Sequence, residues 1–238
     1  MTSAGRRVAI VQSNYVPWRG YFDLIASVDE FIVLDDVQYT RRDWRNRNKI
    51  KTQGGTRWLS IPVEVSGRYT QPICETRIAD PGWSRSHWDL VRSTYASSPA
   101  FDVHADFIRD LYESAPGPFL SDINRHFLEK INEVLGIDTP LVDSRVYGAQ
   151  GTKDERLLDL CLKAGAGEYV SGPSAQSYLN EQRFEAAGVR VAWFEYGPYP
   201  EYDQVHPPFV SQVSILDVLL SGGADAPSLV RPVSVQAR

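Results

Sequence analysis

VAIVQSNYVPWRGYFDLIASVDEFIVL, residues Val8–Leu34, is the stretch whose reading decides the fold class. Its opening run, Val8–Val11, is wholly apolar, as expected of a central strand of a parallel sheet buried on both faces. A polar loop follows, punctuated by Pro17 and Gly20. Tyr21–Val28 then places Phe22, Leu24, Ile25 and Val28 at helical spacing. Phe31–Leu34 is a second apolar strand. Strand, helix and strand within about thirty residues form the βαβ unit of an open parallel sheet.

Outward from that unit, Trp58–Val65 reads as a strand and Ile73–Ile78 as a weaker one. Helices are expected over Ser84–Tyr95, Phe101–Glu113 and Phe119–Leu135, the last closed by Gly136. A short strand begins at Leu141–Val142. Thr152, with Glu155 three residues on, has the capping-box pattern for a helix over Lys153–Ala164. Strand Tyr169–Val170, helix Ser174–Ala187, strand Val189–Phe194 and helix Ser214–Leu220 complete the series. This rhythm predicts an α/β fold: one domain over residues 1–224, with a helical insertion near 84–135 and a loosely ordered tail over 225–238.

The composition bounds the function. A net charge of −5 and a pI of 5.4 argue against a general nucleic-acid binder. The two Cys and four His show no disulfide framework and no metal-ligand spacing, so neither metal nor cofactor is expected. No apolar run reaches the ~18 residues that span a bilayer. The N-terminal apolar stretch reads as a strand rather than a signal peptide, so a cytoplasmic protein without membrane contact is expected.

In open α/β sheets ligands bind outside the carboxyl ends of the strands, which selects loops. The loop after the first strand carries Gln12, Asn14, Tyr15, Trp18 and Tyr21, hydrogen-bonding and aromatic residues that suit a substrate-recognition surface. After the second strand come Asp35, Asp36, Gln38 and Tyr39. Adjacent carboxylates at a strand end point to opposite sides, so at most one faces the site. It would serve as general base, magnesium ligand or hydrogen-bond acceptor; pairing with a nearby Arg is the structural alternative. From Arg41 to Lys51 there are six basic residues and one acid, Asp43. Three readings compete for this run. Arg41, Arg42, Arg45, Arg47 and Lys49 form a phosphate site; or Trp44, flanked by Asn46 and Asn48, stacks a base or sugar ring; or the run is a solvated turn. Its position after a site strand favours the anion site.

Among the histidines, His87, between Trp83 and Trp88 and beside Arg85, is the choice for a general acid or base. Cys161 reads as core. Cys74 is a nucleophile candidate with no sequence neighbour that clearly lowers its pKa. Ser171-Gly172-Pro173-Ser174 lies between a strand and a helix. Ser174 is placed to cap that helix, whose first amides would offer an anion site. Lys153, at the start of the preceding helix, is a further cation candidate.

At QSNYVPWRGYFDLI (Gln12–Ile25), LDDVQYTRRDWRNRNKIK (Leu34–Lys51), WSRSHW (Trp83–Trp88), YVSGPSAQSYL (Tyr169–Leu179) and YPEYDQVHPPFVSQVSILDVLL (Tyr199–Leu220) the chain resembles the WbqC-like protein family. The resemblance implies an open, mostly parallel Rossmann-like sheet of nucleotidylyltransferase type, flanked by helices. It also implies a small transferase or amide-forming enzyme of surface-polysaccharide or specialised-metabolite biosynthesis. In the nucleotidylyltransferase fold an HxGH loop follows the first strand. Here Pro17–Tyr21 keeps the glycine and lacks both histidines, which stabilise the transferring phosphate. The expectation therefore moves to a donor that arrives activated, an acyl or aminoacyl group such as an acyl or peptidyl carrier-protein thioester, transferred to an amine or amino sugar. Asp35, Asp36 or His87 would deprotonate the amine. Gln12, Asn14 and Gln38 would orient substrates or stabilise the oxyanion, while Arg42, Arg45 and Arg47 hold a phosphate. The alternatives are an ATP-dependent adenylating ligase and a non-catalytic sugar-nucleotide or carrier-binding module. A homodimer is a further expected partner arrangement.

Overall fold

Residues 5–232 are described by the computed structural model. The apolar run that opens the chain is strand β1 (Arg6–Val11), and its side chains alternate between two cores. Ala9 and Val11 face one, Val8 and Ile10 the other, the two-sided burial that a continuous apolar strand requires. Helix α1 (Arg19–Ala26) leads to β2 (Glu30–Val33). A hairpin of β3 (Arg47–Thr52) and β4 (Gly55–Ser60) comes next. Helices α2 (Trp83–Tyr95), α3 (Phe101–Glu113) and α4 (Leu120–Leu135) follow. Then come β5 (Leu141–Asp143), α5 (Lys153–Lys163), β6 (Ala166–Ser171), α6 (Glu181–Ala186) and β7 (Arg190–Trp193), with α7 (Ile215–Gly222) and α8 (Ala226–Leu229) closing the chain.

The main sheet has five strands in the order β5-β2-β1-β6-β7, every pairing parallel. The chain steps outward from β1 to β2 to β5, then crosses back and steps outward the other way through β6 and β7. The direction reverses between β1 and β6. This is an open, doubly wound Rossmann-like sheet, and the reversal opens a crevice at its carboxyl edge. On one face Leu157, Leu160 and Cys161 of α5 and Phe184 of α6 pack on Val8, Ile10, Ile32 and Tyr169. The larger core on the other face gathers α1, α4 and α7 with α2 and α3. No described helix is long and apolar enough to cross a membrane.

Several local expectations change. The second half of the basic run is not a loop: Arg47–Thr52 is β3, paired antiparallel with β4 from Arg47↔Ser60 to Thr52↔Gly55. Ile73–Ile78 is a 3-10 turn at Ile73–Glu75 followed by an isolated bridge between Ile78 and Val63. The helix expected over Ser174–Ala187 divides into a 3-10 turn, Pro173–Ser177, and the short α6, because Asn180 caps a new start by accepting from the Arg183 amide. Neither Thr152 nor Ser174 makes a side-chain cap. The described part of the expected loose tail is ordered core: Ala226, Leu229 and Val230 are buried. Residues 233–238 of that tail lie outside the described residues.

The C-terminal segment is bolted to α2 through Asp217 of α7, which is fully buried, and Tyr95 of α2 in turn accepts from the Lys51 amide of the hairpin at 3.2 Å. The Asp217 carboxylate accepts from Tyr95 Oη at 2.7 Å, Tyr202 Oη at 2.6 Å and Gln204 Nε2 at 2.8 Å. Burial pushes its pKa up, and these three donors oppose that shift. Asp217→Ala would orphan the buried Tyr95 hydroxyl and remove the acceptor of the half-buried Tyr202 and Gln204, so we expect a loss of about 2 kcal/mol in urea denaturation, within the range for an unsatisfied buried polar group. A loss below about 0.5 kcal/mol, the size of an ordinary surface change, would show that the network does not hold the segment.

Candidate functional site

At the switch point between β1 and β6 lies a cleft of about 580 Å³. Val11 and Gln12 from the end of β1, Leu34 just past β2, and Ser171 and Gly172 from the end of β6 line it. Helix α5 adds Lys153 and Arg156, one turn apart on the same face. Ile10, Leu157 and Tyr169 supply an apolar floor, and Tyr178 and Tyr196 supply aromatic walls. Lys153 holds a left-handed backbone, φ +51°, a conformation that a non-glycine residue keeps only where its surroundings impose it. Of the residues expected from sequence, Gln12, Lys153, Ser171 and Ser174 meet here. Sequence reasoning missed Arg156, Tyr178 and Tyr196. Arg156 was legible three residues after Lys153, and Tyr196 lies just past the strand end of β7. Tyr178 gave no signal.

The loop after β1 is shaped by bonds that use up many of the expected site residues. Asp35 Oδ1 accepts from the Ser13 amide at 2.8 Å, and Oδ2 accepts from Ser13 Oγ at 2.7 Å and from Ser121 Oγ. Arg45 donates to the carbonyls of Gln12 and Ser13 and to Asn14 Oδ1. Asn48 Nδ2 donates to the carbonyls of Tyr15 and Val16, and Ser214 Oγ to that of Val16. Val16 sits at φ +36°, strained for a β-branched residue, and these bonds hold it there. Tyr21 Oη donates to the Gln12 carbonyl. Arg19 is buried in a box of Tyr199, Tyr202 and Phe209 and donates to the carbonyls of Pro200 and Leu229. A Cβ on Gly20 would come within 2.4 Å of the Trp18 ring. The glycine shared with the nucleotidyl-transfer loop thus makes room for an indole.

Asp35 and Asp36 do point to opposite sides. Asp35 is 2 % exposed, and burial pushes its pKa up against its hydroxyl and amide donors. A raised carboxylate suits a general base only if substrate reaches it; Asp35 is closed off as a loop anchor, which corrects its catalytic assignment. Asp36 pairs with Arg156 and accepts from Ser144 Oγ at 2.8 Å, so it stands directly behind a cleft residue. His87 is also corrected. It lies in an aromatic cluster with Trp83 and Tyr112, and Nδ1 hydrogen-bonds with Tyr15 Oη at 2.9 Å. Burial lowers its pKa to about 4, against an opposing backbone bond to Ser60. It is a neutral core residue, and Tyr15, fully buried beside it, belongs to the same cluster.

None of the expected phosphate arginines reaches the switch-point cleft. Arg41 donates to the Val65 carbonyl at 2.8 Å and lies over Tyr69. Arg42 is exposed at φ +60°, and its carbonyl accepts from Arg47. Arg47 and Lys49 both sit on the Trp58 ring, 4.1 and 4.9 Å from its centroid. Gln38 donates to the Tyr69 carbonyl, and Tyr39 Oη to Asn46 Oδ1, while Asn46 Nδ2 reaches the Ile61 carbonyl. These residues brace the hairpin region. Cys74 has its pKa raised by burial, and Cys161 is pushed up to about 12, so neither is an activated thiol. Among the described residues no group of three or more His, Cys, Asp and Glu could hold a metal ion.

A second pocket, about 230 Å³, opens on the other side of the loop. Asn14, Pro17, Trp18, Trp44, Asn48 and Gln212 line it. Its Trp18 packs on Tyr196 of the first cleft, ring centroids 5.3 Å apart. Four of the expected substrate residues, Asn14, Trp18, Trp44 and Asn48, meet here rather than beside Gln12.

A sequence profile of the WbqC-like protein family matches residues 12–228, and the chain belongs to that family. An uncharacterized protein of Mycobacterium tuberculosis (strain ATCC 25618 / H37Rv), Rv1507c, is 49 % identical over 226 residues, covering 95 % of this chain and 98 % of that one. No solved structure matches the chain. The matched span contains the whole lining of the second pocket and all of the first except Ile10 and Val11.

The burial of His87 has a pH consequence. Its folded pKa, about 4, lies below the ordinary 6.5. Between those values the unfolded chain binds a proton that the folded core refuses, so stability is full above pH 6.5 and falls as pH drops toward 4. The loss should reach about 3 kcal/mol. Denaturation curves of the wild type and His87→Gln should therefore converge with acidification. Curves that stay parallel would mean that His87 titrates normally and is open to solvent.

Proposed function

We propose that the chain is a transferase that seats an activated, phosphate-bearing acyl donor in the switch-point cleft and passes its acyl group to an amine. The observation that carries this reading is Lys153 beside Arg156 over an apolar floor, with the Ser171 and Ser174 hydroxyls and the Gln12 amide around them. An apolar pocket with a few convergent polar groups suits a ligand that has both a greasy and an anionic part. Lys153 would take the phosphate. Arg156 would be held in place by Asp36, which acts through it as a positioning residue.

Acyl transfer from a thioester suits a site whose two most buried candidates for a base, Asp35 and His87, are closed off. The amine nitrogen attacks the thioester carbonyl, the carbon–sulfur bond breaks, and the amine's proton goes to the departing thiolate. What the protein must supply is orientation, which converts a bimolecular encounter into a near-unimolecular step, and donors for the developing oxyanion. Gln12 is the side chain placed for the second task. A carrier protein or coenzyme arm as donor, and an amine or amino sugar as acceptor, are the substrate classes this reading names.

The strand order favours a second reading in which the same cleft holds a mononucleotide and the enzyme adenylates a carboxylate. Pyrophosphate release from ATP, magnesium and carboxylic acids would support that reading in place of the first.

The test uses acyl-coenzyme A thioesters and amines, following free thiol. Lys153→Ala and Arg156→Ala should each lower turnover at subsaturating donor by about 10- to 100-fold, the worth of one charge-assisted contact. Arg42→Ala, at an exposed member of the basic run, should leave it unchanged. Turnover that falls with Arg42→Ala and not with Lys153→Ala would move the donor site to the basic run and end this reading. Tight donor binding without turnover would make the protein a binding module.

A further inference from the structure

We infer that the pocket between Trp18 and Trp44 is a carbohydrate subsite that takes one uncharged, hydroxylated sugar ring. As the seat of the acceptor the pocket rests on the transferase reading; as a binding site it stands on its own geometry.

The first observation is the charge of the lining. The switch-point cleft presents Lys153 and Arg156, whereas every residue lining the second pocket is uncharged: two asparagines, a glutamine, a proline and two tryptophans. A lining of amides and indoles is poor at holding a phosphate and good at holding a polyol. The second observation is which amide groups are free. Asn48 is spent on the carbonyls of Tyr15 and Val16 and on the Lys49 amide. Asn14 Oδ1 is taken by Arg45, which turns its Nδ2 into an available donor. Among the described residues nothing pairs with the Gln212 side chain, which offers both a donor and an acceptor. Sugar hydroxyls, each donor and acceptor at once, match that supply.

The third observation is the platform. Trp44 is 42 % exposed and yet rigidly placed: Trp58 packs behind it at 5.4 Å, and Arg47 and Lys49 rest on Trp58 in turn. Its backbone is tied as well, the carbonyl accepting from the Tyr15 amide at 3.1 Å and the amide donating to Asp43 Oδ1. A large apolar ring held at the surface by a stack of aromatic and cationic supports is a preorganised face on which another ring can pack. The C–H face of a pyranose does so at little entropic cost, because indole has few torsions to freeze. At about 230 Å³ the pocket is below the usual size for a drug-sized ligand and holds a single ring.

The geometry also relates the two pockets. Trp18 belongs to the second and touches Tyr196 of the first. A ring stacked on Trp44 therefore sits one aromatic wall away from the donor cleft, which suits an amine borne on the sugar.

The experiment is saturation-transfer NMR and tryptophan fluorescence on the full chain with methyl glycosides of glucose, glucosamine and N-acetylglucosamine, and with adenosine as a flat, aromatic control. We expect at least one glycoside to bind, with saturation strongest on its ring C–H protons. Trp44→Ala should weaken that binding at least tenfold, Trp44→Phe should keep part of it, and Arg156→Ala should leave it unchanged. No binding by any glycoside, equal binding by Trp44→Ala in a folded protein, or tighter binding of adenosine overturns the inference. Glycoside binding without acyl-donor turnover would sink the transferase reading and leave the subsite standing. Donor turnover with no glycoside binding would do the reverse.

Discussion

A buried carboxylate, Asp35, holds the end of β1 by accepting both the amide and the hydroxyl of Ser13, with Ser121 of α4 completing its shell. From that anchor the loop to Trp18 runs through a strained Val16, which Asn48 and Ser214 clamp by its carbonyl. Breaking one of these bonds leaves a buried polar group unpaired. The loop therefore has one conformation, and both pockets take their shape from it. Gln12 faces one side, Asn14 and Trp18 the other.

That partition divides the chemistry by charge. The switch-point cleft draws its cations from the first turn of α5 and its hydroxyls from the end of β6, elements that meet only because the chain reverses direction between β1 and β6. The pocket beside Trp44 draws on the hairpin and on the segment before α7. It exists because the basic run turns inward as β3 rather than extending into solvent. In the proposed transfer, an anionic donor and an uncharged ring would occupy separate places around one loop.

The sequence announced the fold class through the apolar runs Val8–Val11 and Phe31–Leu34, whose two-sided burial leaves a contiguous signal. It announced the importance of the β1 loop through residues unusual for a turn. What it hid was which side each residue serves. Asp35 and His87 have the residue types of catalysis, and only burial assigns them to the core. The basic run looked like one anion site because charge is legible in sequence and pairing is not. Its members are consumed by carbonyls and by Trp58, through contacts between residues far apart in the chain. Arg156 was passed over for the converse reason: its spacing from Lys153 was legible, but its partner Asp36 is distant in sequence, so only the fold shows that this face of the helix lines a cleft.

The central claim is that the anion-binding side of this protein is the switch-point cleft and not the arginine-rich hairpin. A crystal soaked in tungstate, with its anomalous signal mapped, tests this most directly. A strong peak within hydrogen-bond reach of Lys153 and Arg156 is the predicted result. A peak among Arg41, Arg42 and Arg47, with none in the cleft, would contradict it.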